Sequence, residues 1–101
     1  MIARHWKGWT APDKAKEYEK LLETKVFPDL RQLPGYHGGY LLRRACGKEV
    51  EFIVINFFDS LDAVRAFAGE DYETAVFEPE AKALLSRAEP KATHFEVISA
   101  P

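Results

Sequence analysis

Residues 50–69, VEFIVINFFDSLDAVRAFAG, decide the fold of this chain. The stretch begins as a continuous apolar run, which is typical of a strand that is buried on both faces. After Asp59 and Ser60 the apolar residues recur at helical spacing, and Gly69 ends the helix. A chain of 101 residues can cover one face of such a strand with its own helices. We therefore expect a second copy of the chain to cover the other face.

The elements around this stretch follow the order strand, helix, strand, strand, helix, strand. The predicted strands are residues 2–9, 36–44, 50–58 and 93–98, and the predicted helices are residues 10–33, 60–68, 71–77 and 79–87. This order predicts an α+β fold of the ferredoxin-like, split βαβ type, with an antiparallel sheet and helices on one face. Two such sheets packed face to face form a barrel.

The first predicted helix carries its own start and interruption signals. Thr10 is predicted to cap the helix, and Asp13 stands where a capping box has Glu. Pro28 lacks an amide hydrogen, so we expect it to kink or end this helix. Leu30 and Leu33 would then pack in a separate turn near the mouth of a pocket.

Composition excludes several classes of protein. The net charge is −2 and the pI is near 5.9, so no basic face for nucleic acid is expected. No apolar segment reaches membrane-spanning length, and no signal peptide opens the chain, so a cytoplasmic location is expected. The lone Cys46 excludes an intrachain disulfide and is predicted to be an exposed, inert thiol in a turn.

Five short motifs carry a resemblance to a known family. They are Arg4-His5-Trp6-Lys7-Gly8, Pro34-Gly35-Tyr36-His37-Gly38, Phe57-Phe58-Asp59-Ser60-Leu61-Asp62-Ala63, Ala66-Phe67 and His94-Phe95-Glu96-Val97. With them the chain resembles the antibiotic biosynthesis monooxygenase family of dimeric α+β barrel proteins. The resemblance covers nearly the whole length and implies a single domain of this type over residues 1–101. Phe58 departs from the family, which often has Trp there.

The resemblance implies a pocket between the helices and the sheet. By itself it does not decide whether the protein binds a cofactor. Members include quinone-forming monooxygenases without a cofactor and haem-degrading enzymes. The haem-degrading branch uses an Asn on the first strand, which this chain lacks, a Trp where it has Phe67, and a His about where it has Phe77. The three histidines lack metal-ligand spacing, and no Gly-rich loop offers a seat for flavin. We therefore expect neither cofactor nor metal.

Three residues of the central strands are the leading candidates for chemistry. Asn56 could hold a ligand oxygen, or it could bond to backbone at the strand end. Trp6 could form the floor of the pocket, or pack as an ordinary core residue. Arg4, on the same face of the first strand as Trp6, could meet an anionic oxygen, or form an ion pair at a surface or dimer contact.

Two further candidates lie in loops and strand ends. Tyr72 follows the second helix and could act as a lid over the ligand, or pack within its loop. His94 could act as a general base, or be a half-exposed strand residue or a dimer contact. His37 is expected to have a structural role in a glycine-rich turn. The apolar lining is predicted to include Tyr18, Phe58, Phe67 and Phe77; Tyr18 and Phe67 also suit the core.

Two functions from different classes remain open on the sequence. One is a cofactor-independent monooxygenase that oxidises a small aromatic or polyketide-like phenol. The other is a non-catalytic small-molecule-binding or stress-response protein of the same fold. Both are expected as homodimers without nucleic-acid or membrane partners.

Overall fold

The computed structural model describes residues 1–101 and has one sheet with helices against it. The strands are β1 (Ile2–Thr10), β2 (Tyr36–Cys46), β3 (Glu49–Phe58), β4 (Leu85–Ala88) and β5 (Thr93–Glu96). The α-helices are α1 (Ala15–Leu21), α2 (Phe27–Arg31), α3 (Leu61–Ala68) and α4 (Pro79–Leu84). None of these helices has both the length and the apolar character needed to span a bilayer.

The sheet has the predicted split βαβ topology. β3 lies between β2 and β1 and is antiparallel to both, so β1 and β2 run parallel with one strand between them. The outer edge of β1 is shared: β5 pairs with its first half and β4 with its last residues. The α+β, ferredoxin-like prediction is therefore confirmed.

The hydrophobic core lies between the helices and one face of the sheet, which we call the helix face. On β3 this face presents Phe52, Val54, Asn56 and Phe58, all buried. The intervening residues of β3 lie on the opposite face, which we call the outer face. The core cluster consists of Ala15, Tyr18, Leu22, Phe27, Leu30, Phe52, Val54 and Ala81.

The first helical stretch continues through Pro28 to Arg31, so the proline does not end it, but the hydrogen-bond pattern changes just before it. Between α1 and α2 the backbone forms a π-helical segment, Leu22–Val26, in which the Phe27 amide donates to the Leu22 carbonyl. α-Helical bonding resumes at Phe27, so Pro28 occupies the first turn of α2, where its missing amide hydrogen costs nothing. The interruption is thus a widened turn ahead of the proline.

The predicted cap at Thr10 is wrong. Thr10 is the last residue of β1, and its buried hydroxyl has no hydrogen-bond partner in the protein. The helical stretch begins instead with a 3₁₀ turn, Pro12–Lys14, after Ala11, which offers no side-chain cap. Pairing of β1 with β3 extends through Thr10 and keeps this residue in the sheet.

Two predicted helices near the carboxyl terminus differ from the structure. Residues 71–77 are not helical; Thr74 forms a single bridge with Lys91. The helix that begins at Pro79 ends at Leu84, and the next four residues form β4. Cys46 is half-buried at the end of β2, so it does not lie in the turn itself.

Candidate functional site

A cavity of about 270 Å³ lies between the helix face of the sheet and the helical layer. Pockets that bind small molecules hold roughly 300–1,000 Å³, so this cavity suits a small ligand. Sixteen residues line it, and twelve of them are hydrophobic.

Three parts of the chain build the cavity. The sheet contributes Arg4, Trp6, Val54 and Asn56; the first helical stretch contributes Tyr18, Leu22, Val26, Asp29, Leu30 and Leu33; later segments contribute Phe67, Ala75, Val76, Phe77, Glu78 and Ala81. Leu30 and Leu33 take the place predicted for them after Pro28. The interrupted helix therefore directs its last turns toward the cavity.

Arg4 is a buried charge on the wall formed by the sheet. Its side chain is only 5% exposed, and burial lowers its pKa from the usual value. Nη1 donates to the Tyr72 carbonyl and to His94 Nε2 (3.0 Å), and Nη2 donates to the Thr74 carbonyl (3.1 Å). The guanidinium also lies over the Phe67 ring, 5.5 Å from its centroid. None of these contacts is a carboxylate, so the charge has no counter-ion.

Asn56 lies beside Arg4, since the two residues are partners across β1 and β3. It is 8% exposed, and its Oδ1 accepts a 2.8 Å hydrogen bond from the hydroxyl of Tyr36. Its Nδ2 has no protein acceptor. Gly39, the partner of Asn56 on β2, leaves room for this pair: a Cβ at Gly39 would lie 2.5 Å from Asn56 Oδ1. The amide is thereby held with its donor side free.

Trp6 supplies a flat apolar wall next to these polar groups. Its Nε1 donates a 2.7 Å hydrogen bond to the Glu89 carbonyl, so the indole has no donor left for a ligand. Its ring meets Phe77 edge to face at 5.4 Å. The ring also lies directly over Gly8, where any Cβ would collide with it.

Tyr18 brings a hydroxyl from α1 to the cavity. The residue is 2% exposed and packs on Phe52 at 4.9 Å between ring centroids. Its hydroxyl makes no hydrogen bond to the protein. Burial raises the pKa of Tyr18 well above its usual value, so the phenol stays protonated and can donate.

Tyr72 and His94 lie behind Arg4 rather than in the cavity lining. The Tyr72 ring packs against His94 at 5.0 Å and under the guanidinium of Arg65. Only the backbone carbonyl of Tyr72 reaches Arg4. Burial and the Arg4 charge both lower the pKa of His94, which keeps its Nε2 an acceptor. Neither residue lines the cavity that holds Arg4 and Asn56; both line a second pocket, between the start of α3 and β5.

Not all of the aromatic residues that were predicted to line the cavity do so: some form its wall, and one supports the wall from behind. Phe67 and Phe77 line the cavity beside Tyr18. Phe58 is fully buried behind Phe67, with the two rings stacked at 5.8 Å, and it does not line the cavity. Phe58 lies two residues beyond Asn56 on the same face of β3. It packs behind the cavity wall as a core residue and supports it.

Sequence reasoning missed Tyr36, which orients Asn56. Its position two residues after Pro34 indicated only the start of a strand. The register of β2 contains a bulge between Tyr36 and Gly39, and this bulge places the phenol against Asn56. His37 lies in the same bulge and contacts Asp59, in line with its expected structural role.

The rim of the cavity is acidic. Asp29 is exposed at the end of the interrupted helix, and Glu78 lies 3.6 Å from Lys25. Neither carboxylate lies within 4.0 Å of Arg4. No three His, Cys, Asp or Glu side chains cluster as metal ligands would.

No protein-family model matches this sequence, and no curated protein matches it significantly. Solved structures do match it. The haem-degrading protein MhuD of Mycobacterium tuberculosis, which has been solved with two haems in its active site, is 22% identical with a TM-score of 0.68. That match covers 100% of this chain and 99% of MhuD.

Two other solved structures are similar over nearly their whole length. ActVA-Orf6 of Streptomyces coelicolor, a monooxygenase solved with nanaomycin D, is 18% identical with a TM-score of 0.69, over 99% of this chain and 89% of its own. Rv0793 of M. tuberculosis is 18% identical with a TM-score of 0.65, over 98% and 96%. These matches confirm the fold that the family resemblance implied.

Proposed function

We propose that this chain is a member of the antibiotic biosynthesis monooxygenase family and a cofactor-independent monooxygenase that oxidises a small aromatic or polyketide-like phenol. The observation that carries the proposal is the pair of buried polar groups on the sheet wall of an apolar cavity, the Arg4 guanidinium and the Asn56 amide. ActVA-Orf6, a monooxygenase of the same fold, has been solved with the ligand nanaomycin D, which supports a small-molecule occupant.

The proposed reaction needs no prosthetic group, because a phenolate can itself pass an electron to oxygen. Overall, a phenol and O₂ give a quinone and water: the ring gains one oxygen atom and loses four electrons, and the second oxygen leaves as water with the hydroxyl proton and a ring hydrogen. Arg4 would lower the pKa of the bound phenol by stabilising its anion. Asn56 Nδ2 would donate to the same oxygen and orient the ring.

The apolar walls serve this chemistry by excluding water. Trp6, Phe67 and Phe77 surround the sheet end of the cavity. In such surroundings the interaction of Arg4 with an anion is stronger than in water, because the effective dielectric constant is lower. The lining contains no histidine, so the phenolic proton would leave through the open rim.

The residues present do not fit the haem that MhuD binds. No His, Cys or Met lines the cavity, and His94 Nε2 is already bonded to Arg4. Tyr18 is the one lining residue that could ligate iron as a phenolate, but burial keeps it protonated. The proposed reaction therefore contains no step through a haem.

Oxygen uptake with a panel of small phenols tests the function. We expect Asn56→Ala to lower turnover of a reactive phenol roughly 100-fold, the size seen when one oxyanion donor is removed, with no change in assembly. Gln32→Ala, at an exposed amide outside the cavity, is the matched control.

Each other outcome has a defined meaning. Unchanged turnover in Asn56→Ala would contradict the role given to this residue. Phenol binding without oxygen uptake would favour the non-catalytic binding protein. A tight Soret shift on haem titration, at one site per subunit, would contradict the absence of a cofactor.

We also propose a homodimer that joins the outer faces of two sheets. This face presents Ile53, Ile55 and Phe57, which are only partly covered, and exposes several large apolar residues. These are Tyr40 at 63%, Leu42 at 46% and Phe95 at 54% exposure. Contiguous apolar surface of this kind marks an interaction site, and a stable interface buries about 1,600 Å² in total. Sedimentation at micromolar concentration tests the dimer; a folded monomer of 11.5 kDa would contradict it.

A further inference from the structure

Arg4 is the one arginine of the chain that is both buried and without a carboxylate partner. The seven ion pairs of the protein involve other cations, and the partners of Arg4 are two carbonyls and an imidazole. A buried charge is costly unless an opposite charge accompanies it. The cost falls if a ligand in the adjoining cavity supplies that charge.

The hydrogen-bond donors that Arg4 keeps free indicate the shape of this ligand group. A guanidinium has five N–H donors; two on Nη1 and one on Nη2 are used by the protein. The two that remain belong to Nε and Nη2, which lie along one edge of the planar group. Two parallel donors along one edge match the two oxygens of a carboxylate.

Two neighbouring donors are free in the same cavity. Asn56 Nδ2 has no protein acceptor, because its Oδ1 takes the bond from Tyr36. The Tyr18 hydroxyl also lacks a protein partner. Both residues are at least nine-tenths buried, and neither donor has a protein acceptor, so a ligand in the cavity can accept from both.

We infer that the ligand of this cavity is an aromatic carboxylic acid whose carboxylate is bound along the Nε–Nη2 edge of Arg4, which leaves Asn56 Nδ2 to donate to the phenol oxygen. This inference rests on the proposed function, for which it names the substrate class. A carboxylate is an anion at neutral pH without any base, which agrees with a lining that lacks histidine.

Binding equilibria test this assignment without any turnover. The probes are 2-naphthoate, the neutral 2-naphthamide of nearly the same shape, and 2-naphthol, measured by calorimetry. We expect naphthoate to bind about tenfold or more tightly than the amide or the naphthol, because only naphthoate pairs with the Arg4 charge. Equal affinities, tighter binding of naphthol, or no binding of naphthoate at millimolar concentration would each overturn the inference.

A variant that places a carboxylate of the protein at the free edge of Arg4 tests ligand binding without loss of the fold. Asn56→Asp places a carboxylate beside Arg4 and keeps an acceptor for Tyr36, so we expect it to remain folded by circular dichroism. Naphthoate should then bind about tenfold or more weakly, while naphthamide affinity should not fall. Arg43→Gln, on β2 outside the cavity lining, should leave both affinities unchanged. Undiminished naphthoate binding in Asn56→Asp would overturn the inference.

The results that would contradict the proposed function differ from those that would contradict the carboxylate site. Naphthoate binding with the expected preference, but no oxygen uptake with any hydroxylated aromatic acid, would contradict the monooxygenase and leave the carboxylate site intact. Oxygen uptake with neutral phenols, together with no preference for naphthoate, would do the reverse.

Discussion

The two faces of the sheet differ in how their buried charges, Glu51 and Arg4, are paired. On the outer face, Arg44 pairs with Glu51 at 2.6 Å, and Arg87 pairs with Glu49 at 3.0 Å and lies over the Trp9 ring. On the helix face, Arg4 is bonded only to neutral groups.

The apolar residues show the reverse contrast. The outer face leaves Tyr40, Leu42 and Phe95 exposed, while Phe52 and Phe58 on the helix face are fully buried. The outer face therefore has its buried carboxylate, Glu51, paired with a cation and several large apolar side chains exposed, which suits contact with another protein surface. The helix face has its apolar surface satisfied and one charge unsatisfied, which suits a small anionic ligand.

The largest expected effect separates two consecutive phenylalanines on β3. Phe58→Ala removes a fully buried ring from the helix face and should cost about 3–5 kcal/mol of unfolding free energy. Phe57→Ala, on the outer face, should cost much less in the free subunit but weaken dimerisation. Urea unfolding at low protein concentration, with sedimentation for assembly, measures both. Similar losses of stability in the two variants would contradict the assignment of faces.

A smaller effect is expected from two consecutive glycines. Gly39→Ala would put a Cβ 2.4 Å from the Ile55 carbonyl oxygen and 2.5 Å from Asn56 Oδ1, so it should shift β2 and disturb the Tyr36–Asn56 pair, at a cost of about 1–3 kcal/mol, and weaken 2-naphthoate binding. Gly38→Ala is the control: its φ of +96° makes alanine strained, but no atom lies within 4 Å of the added Cβ. It should lower the melting temperature and leave naphthoate affinity unchanged. Equal affinities in both variants would show that the Tyr36–Asn56 geometry does not matter for binding.

The smallest effect concerns pH. His94 is flanked by Arg4, Glu73 and the Tyr72 ring, and its pKa lies below the usual 6.5 mainly because of burial and secondly because of Arg4. As pH falls below 6.5, His94 therefore binds a proton in the unfolded chain before it does so in the folded chain. The contribution of His94 to stability is full above pH 6.5 and is lost as pH falls below it.

Thermal unfolding between about pH 7 and pH 5 measures this loss. His94→Gln retains an acceptor for Arg4 but cannot titrate, so it should show a shallower loss over the same range. The Arg44–Glu51 pair of the outer face should not contribute there, because its carboxylate stays ionised. Identical pH profiles in wild type and His94→Gln would contradict the assigned role of His94.

The local sequence pattern predicted the structure correctly where the hydrophobic pattern agreed with the capping and turn residues. The third strand was predicted as residues 50–58 and is observed as Glu49–Phe58. The following helix begins where Ser60 was expected to start it, and the Ser60 Oγ accepts from the Ala63 amide. The alternation of β1 also placed Arg4 and Trp6 on one face, as the structure has them.

Local pattern failed where a distant segment decided the conformation. Leu85–Ala88 continues a helical sequence from Pro79, yet it forms a strand because β1 offers it an open edge beside Gly8 and Thr10. Residues 71–77 read as helical but form a turn followed by irregular backbone, with the carbonyls of Tyr72 and Thr74 on Arg4. In both cases the partner lies more than 60 positions away in the chain.

The sequence by itself determined the split βαβ core of the element order, the apolar character of β3 on both faces, a disturbance of the helix near Pro28 and the placing of Arg4 and Trp6 on one face of β1. These features depend on periodicity, on missing amide hydrogens and on alternation along a strand, all of which are local. Only the tertiary structure decided which groups remain free in the cavity. It used Tyr36 to fix Asn56, used His94 and two carbonyls to fix Arg4, and brought no carboxylate to that charge. Free donors are a property of the complete set of contacts, and no local pattern contains that set.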